Sequence, residues 1–346
     1  MTSPVEKKSA LLLGGAVRLP EKFDMPVRVS HSIAGPGAGM DSAAFRFGGM
    51  RVKKALVRDG GEFELHVRDG GSMYLTRGGE PFIDEIEFEP VVYHCPRQAF
   101  FTLDPRCCYS CAFCASPRLK GDKTGFSDEE IARRSLEAYE TVGIDAVSLT
   151  SGVTESGVEA TVWRFVSCIR KVREVLPGVP IGVEPYVETR EQVRRLKDAG
   201  ADEIKLNIQA ATEDIFERVC PDLDRDTVLY RLKDAVEIFG RGRVSSNLIF
   251  GFGESDDDIG ECMEMLCSMG VIPTVRSLRT GPYNSAGLRA AIGEPEEVTS
   301  DRLLKVAEMQ KRILQRHGMD TLCSRTMCLE CTCCDIVPFR DLRSSS

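Results

Sequence analysis

Residues 106–116 read RCCYSCAFCAS and set Cys107, Cys108, Cys111 and Cys114 within eight positions. Thiols at this density offer three kinds of chemistry: paired disulfides, a zinc clip or an iron–sulfur cluster. Taken as a set, Cys107, Cys111 and Cys114 have the spacing C-x3-C-x2-C. Three thiolates hold three irons of a [4Fe–4S] cluster and leave the fourth iron open to another ligand. A structural zinc site asks for four protein ligands. Cys108 is adjacent to Cys107, and neighbouring side chains rarely point into one small site, so its expected state is a packed or free thiol. Spacing alone ranks iron–sulfur ahead of zinc and leaves both open.

A second group lies in the tail, where Cys323, Cys328, Cys331, Cys333 and Cys334 give C-x4-C-x2-C-x-C-C. Exposed thiols are reactive liabilities, so this density calls for a second cluster or zinc. The expected ligands are Cys323, Cys328, Cys331 and one of the adjacent pair, Cys334 being preferred. The other cysteines are scattered. Cys168, Cys262 and Cys267 fall in helical patterns and read as core residues. Cys95 follows His94, and metal binding there is the weaker of its two readings. His31, His66 and His317 have no partner in sequence and read as structural or solvated.

Bulk properties choose among these chemistries. With 346 residues the chain can bury a large core in one or two domains. A formal charge of −8 and the absence of a basic block argue against a nucleic-acid partner. The apolar run from Ala10 to Val17 is too short to span a membrane, and it lacks a signal-peptide cleavage site. The expected compartment is therefore the cytoplasm, whose reducing conditions argue against structural disulfides for most of the 14 cysteines. Metal binding remains.

The elements that must position these thiols are legible from about residue 98. Candidate strands Ala99–Leu103, Ala146–Thr150, Pro180–Glu184, Glu203–Ile208, Val244–Phe250 and Pro273–Leu278 alternate with amphipathic segments. The first of those opens on Ser127-Asp128-Glu129-Glu130, a capping-box spacing, and the others run near 155–176, 189–199, 224–239, 255–269 and 298–317. Strand–helix alternation with short links implies parallel pairing through right-handed crossovers. The expected fold is α/β, a partial (β/α)6 TIM-type barrel over residues 93–317 with the first cysteine loop at its C-terminal mouth. Residues 1–92, rich in Gly and carrying Gly35-Pro36-Gly37-Ala38-Gly39, read as a small β-rich N-terminal domain. Residues 318–346 form a Cys-rich C-terminal extension without periodicity.

The C-x3-C-x2-C motif with an aromatic, Phe113, before its last cysteine resembles the radical S-adenosylmethionine (SAM) superfamily. The resemblance covers about residues 95–315. It implies that the open iron chelates SAM and that cluster reduction splits SAM to a 5′-deoxyadenosyl radical. Thr150-Ser151-Gly152 resembles the family's turn near the SAM amino group, with Val153 where many members carry an acid. Glu184, at a strand end, resembles a contact to the SAM ribose. The segment Asn247–Glu254 resembles G-x-I-x-G-x-x-E, which packs on adenine through Ile249, Gly251 and Glu254; Asn247 replaces its first glycine.

Within the superfamily, Leu206–Gln209 and RVSSNLIFGFGESDDDI (243–259) resemble biotin synthase and lipoyl synthase, including the archaeal-type two-protein lipoyl synthase. That similarity implies Asn207 at the active site and sulfur insertion at unactivated C–H bonds from a second iron–sulfur cluster. The tail placement of the second cysteine group departs from both families. Arg343-Ser344-Ser345-Ser346 is similar to the Arg-Ser-Ser of lipoyl synthase, and a polar terminus accounts for it equally. Arg276 and Arg279 end the sixth strand, where Arg276 is a candidate for a substrate or SAM carboxylate and a rim salt bridge is the alternative.

The resemblance implies two cofactors, a SAM-binding [4Fe–4S] cluster and SAM, with a second [4Fe–4S] cluster in the tail. It also implies an electron donor such as ferredoxin or flavodoxin, and a second radical SAM subunit or an acylated carrier protein as partner. Other functions kept open are a different radical SAM reaction, with the tail cluster relaying electrons, and a zinc-stabilised scaffold or redox sensor.

Overall fold

The computed structural model describes residues 2–31, 39–118 and 125–342. Gly35–Ala38 and Arg343–Ser346 lie outside the described residues. The chain opens with helix α1 (Pro4–Leu13), closed at its start by reciprocal bonds between Ser3 and Glu6. The apolar run seen in the sequence is in part the buried face of this helix, through Leu11 and Leu12. Strands β1 (Val17–Arg18), β2 (Ser30–His31), β3 (Asp41–Phe47), β4 (Met50–Val57), β5 (Phe63–Val67), β6 (Met73–Arg77) and β7 (Glu80–Glu89) follow. They pair in the order β2-β3-β4-β1-β5-β6-β7, and a further β3–β7 pairing closes the sheet on itself. Closure removes the exposed strand edges that would otherwise invite association. Phe45, Val52, Phe63, Leu65 and Leu75 fill its core.

The second half alternates strands and helices: β8 (Gln98–Thr102), α2 (Asp128–Val142), β9 (Ala146–Thr150), α3 (Gly157–Val175), β10 (Ile181–Glu184), α4 (Arg190–Ala199) and β11 (Glu203–Lys205). Then come α5 (Glu213–Val219), α6 (Arg225–Phe239), β12 (Val244–Phe250), α7 (Asp256–Met269), β13 (Ile272–Ser277), α8 (Ser285–Ile292), α9 (Ser300–Arg316) and α10 (Met327–Cys331). Strands β8 to β13 are parallel and lie in sequence order, the expected partial (β/α)6 barrel. β11 is shorter than its apolar run: past Lys205 the chain leaves the ladder, and Gln209 takes φ +62° before rejoining β12 through Leu248. Helices α5 and α8 were not expected, since each is too short to present a full apolar stripe.

The tail turns back into the barrel from the side opposite the cysteine loop. The Gln98 amide exchanges hydrogen bonds with the Met327 backbone, donating to its carbonyl at 3.1 Å and accepting from its N–H at 2.9 Å. Gly182 is glycine because a Cβ there would strike the Thr326 hydroxyl. The buried Lys8 ammonium donates to Asp341 and to the Thr332 carbonyl, each at 2.7 Å, tying α1 to the tail. The Lys53 amide donates to the Cys333 carbonyl at 2.9 Å, tying β4 to it as well.

Candidate active site

β8 delivers the cysteine loop to the C-terminal ends of the strands, and the surrounding backbone holds it there. Leu103 N–H donates to the Thr150 carbonyl, Gly152 N–H to that of Asp104 (both 2.8 Å), and Cys108 N–H to that of Val153 at 2.7 Å. Arg118 donates to the Cys111 carbonyl at 2.8 Å and to that of Cys114 at 2.5 Å, and Asn284 donates to the Phe113 carbonyl at 3.0 Å. The loop's shape therefore does not depend on its sulfurs. Cys107, Cys111 and Cys114 are half-buried and Cys108 is exposed. Burial pushes the Cys107 and Cys114 thiols up, whereas donation from the buried Cys220 thiol holds Cys111 down. A set of three half-buried thiols with the fourth exposed fits a cluster that keeps one iron open.

Gly152 is packed against this loop: a Cβ would run into the Arg106 carbonyl oxygen and the Cys107 side chain. Gly152→Ala is expected to lift the loop at a cost of about 1–3 kcal/mol. A denaturant midpoint equal to that of the wild type would show that the loop has room there.

Cys107, Ser151, Gly152, Glu184 and Asn207 line one cleft of about 160 Å³. The Glu184 carboxylate accepts from Asn207 Nδ2 at 2.7 Å and from Asn247 Nδ2 at 3.4 Å, and it pairs with Lys205 at 3.4 Å. Asn207 Oδ1 in turn accepts from the Asn247 backbone N–H at 3.0 Å, so Asn207 is oriented from both ends. Phe113 packs on Phe252 with ring centroids 6.0 Å apart, bringing the loop to the turn after β12. Ile249 is buried at the end of that strand. Glu254 is buried with both oxygens engaged, accepting from Gly251 N–H at 2.6 Å and Phe252 N–H at 3.0 Å. Glu254 thus fixes the turn around Gly251 and has no oxygen directed at the cleft.

Sequence reasoning missed Tyr109, Tyr186 and Arg231, which also line the cleft. The two tyrosine rings meet edge to face at 5.5 Å. Tyr186 sits just beyond β10, so only the strand's end point could have flagged it.

Arg276 and Arg279 do not face the mouth. Arg276 donates to Asp335 at 2.8 Å and Arg279 to the Cys334 carbonyl at 2.6 Å, because the tail fills the space they point into. The tail thiols also differ from expectation. Cys331 packs with Cys95 and Cys333, Cys334 lies against them, and Lys205 donates to Cys328 Sγ at 3.3 Å. Cys323 is apart and exposed, its thiol turned to the carbonyls of Asp320 and Gly242 at 3.4 and 3.6 Å. Among the described residues no three His, Cys, Asp or Glu side chains converge as a single-ion site. Cys168, Cys262 and Cys267 are core residues, as expected. His31, His66 and His317 bond locally to Asp41, Thr76 and Glu264.

Residues 102–266, from the end of β8 to the last turns of α7, match the radical SAM superfamily. That match covers just under half of the chain and marks the barrel as a radical SAM domain. It is similar to the lipoyl synthase of Pyrobaculum arsenaticum, with 29% identity over 188 residues, 51% of this chain and 60% of that one. It is also similar to the tRNA-2-methylthio-N(6)-dimethylallyladenosine synthase of Solibacter usitatus, with 25% identity over 66% of this chain and 53% of that one. The chain thus spans at most 60% of the length of these two relatives. Its fold is similar to that of methylornithine synthase, at TM-score 0.52 and 16% identity, covering 62% of this chain and 61% of that one. The FeFe-hydrogenase maturase HydG of Carboxydothermus hydrogenoformans shares it at TM-score 0.53 and 16% identity, covering 64% and 52%. The radical SAM family implies a [4Fe–4S] cluster and SAM. Among the described residues no helix is long and apolar enough to cross a membrane.

Proposed function

We propose that this radical SAM protein inserts sulfur at a C–H bond. Cys107, Cys111 and Cys114 would hold the first cluster, and the tail thiols a second. When bound, the first cluster with SAM supplies a 5′-deoxyadenosyl radical for hydrogen-atom removal, and the second supplies sulfide. The chain's own part is placement. Glu184, oriented by Asn207 and Asn247, offers its carboxylate to the cleft floor beside Gly152. The cysteine loop and the Tyr109–Tyr186 pair form one wall of the cleft.

The observation that carries the reading is the reach of Lys205. Its buried ammonium lies 3.4 Å from Glu184 at the cleft and 3.3 Å from Cys328 in the tail, so both thiol groups address one barrel interior. The relatives' names, lipoyl synthase and 2-methylthio-adenosine synthase, give the same direction, since both products carry carbon–sulfur bonds. The reading requires a reductant of the ferredoxin or flavodoxin type. It also admits an acylated carrier protein or a second radical SAM subunit as partner.

The test is a single turnover with isotopically labelled sulfide in the tail cluster, offered an octanoylated carrier. Label is expected in the product, and product without label would sink sulfur insertion. Separately, Glu184→Ala is expected to weaken SAM binding by about 1–3 kcal/mol in calorimetry, the scale of a lost hydrogen bond to a buried partner. Unchanged affinity would remove Glu184 from the SAM site.

A further inference from the structure

The cysteines that meet beneath the barrel are not those that sequence spacing groups. Cys95 comes from the segment before β8, yet it packs with Cys331, which is itself almost fully buried at 6% exposure. Cys334 packs against this pair, and Cys328 lies one helical turn before Cys331 on α10 and so on the same face of it. These four cysteines therefore share one largely buried region. Cys333 packs in the same group as Cys95 and Cys331, but its carbonyl accepts from Lys53 N–H of β4 at 2.9 Å, so it backs the group from the side of the N-terminal sheet. Cys323 is separated from them, and its sulfur is turned to backbone carbonyls.

Charge gives an independent reason for a ligand here. Lys53 is 1% exposed, and its ammonium donates to Ser30 Oγ, His94 Nδ1 and the His94 carbonyl. No carboxylate lies within ion-pair distance of it among the described residues. Around the same region stand Lys205, Arg276 and Arg279. Their counter-charges are Glu184 for Lys205 and Asp335 for the two arginines. Four cations against two carboxylates leave a surplus of two positive charges in a largely buried region, which is costly unless an anion is bound. Four thiolates around an oxidised four-iron core carry two negative charges and would balance it.

We infer that Cys95, Cys328, Cys331 and Cys334 are the ligands of the tail cluster, and that Cys323 is not one. The assignment rests on the proposal that the tail holds a four-iron cluster. Cys328, the member touching Lys205, then presents the iron nearest the cleft.

The experiment uses the full chain with Cys107, Cys111 and Cys114 changed to Ala, so that only the tail site can load. After anaerobic reconstitution, iron and sulfide analysis is expected to give about four irons per chain, with an electron paramagnetic resonance signal on reduction. Adding Cys95→Ser should remove most of the iron and the signal. Adding Cys323→Ser or Cys333→Ser should leave both. Cys323 is exposed, so its variant is expected to fold whatever its role, and loss of iron in that variant would overturn the assignment. Retention of about four irons with Cys95→Ser would overturn it equally. A parent that binds no iron, or one zinc, would instead refute the tail cluster itself, and so is distinguishable from a wrong ligand set.

Discussion

Replacing Cys107, Cys111 and Cys114 together by Ala is expected to abolish reductive formation of 5′-deoxyadenosine, while the unfolding midpoint changes little. The loop that carries them is held by bonds that spare the sulfurs: Cys108 N–H to Val153, Ala112 N–H to Val219 at 2.8 Å, and the Arg118 guanidinium on two loop carbonyls. Losing three half-buried thiols removes little packing, so stability and activity should separate. Activity should fall to background, because the remaining loop thiol, Cys108, is exposed. Cys108 is exposed, and Cys108→Ala should retain SAM cleavage at close to the wild-type rate. A Cys108 variant as dead as the triple variant would favour a four-thiolate structural metal instead.

The parts of this molecule legible in the sequence are those decided locally. The barrel strands are short apolar runs, and the helices between them begin at side-chain caps such as Ser127, Thr189, Asp224 and Ser255. The first cysteine set was legible for the same reason, since its spacing lies within one loop. Glu184 was visible as a carboxylate at a strand end. What was hidden depends on chain segments far apart. Nothing near Cys95 signals that it meets Cys331, because Phe100 and the 331–334 segment bring them together only after the tail docks. Arg276 was placed on the correct strand, but its direction depends on the tail residue Asp335 that fills the barrel. The tail itself has no periodicity because its backbone is satisfied by side chains from β8 and β11, a pattern with no repeat to read.

That dependence of the tail on barrel side chains gives the second large effect, at Glu203. This carboxylate begins β11, is 5% exposed, and gathers the chain entering α10. It accepts from Arg325 N–H and Thr326 N–H, both at 3.0 Å, and from the hydroxyls of Thr326 at 2.7 Å and Ser324 at 3.1 Å. Arg243 supplies its counter-charge at 3.0 Å. Glu203→Ala would strand these buried donors together with a cation. Removing one partner of a buried, hydrogen-bonded charge costs about 3–5 kcal/mol, and that loss is expected in urea unfolding. Glu203→Gln keeps one acceptor oxygen but turns an amide donor toward other donors, so it should fall between the wild type and Ala. The loss should also be local. Limited proteolysis of Glu203→Ala is expected to cut between residues 318 and 330 while the (β/α)6 core resists, since the core strands pair without the tail. Wild-type unfolding together with an uncut tail in Glu203→Ala would mean that Gln98, Gly182 and Lys8 hold the tail by themselves. In that case Glu203 would be a passenger in a dock built by others.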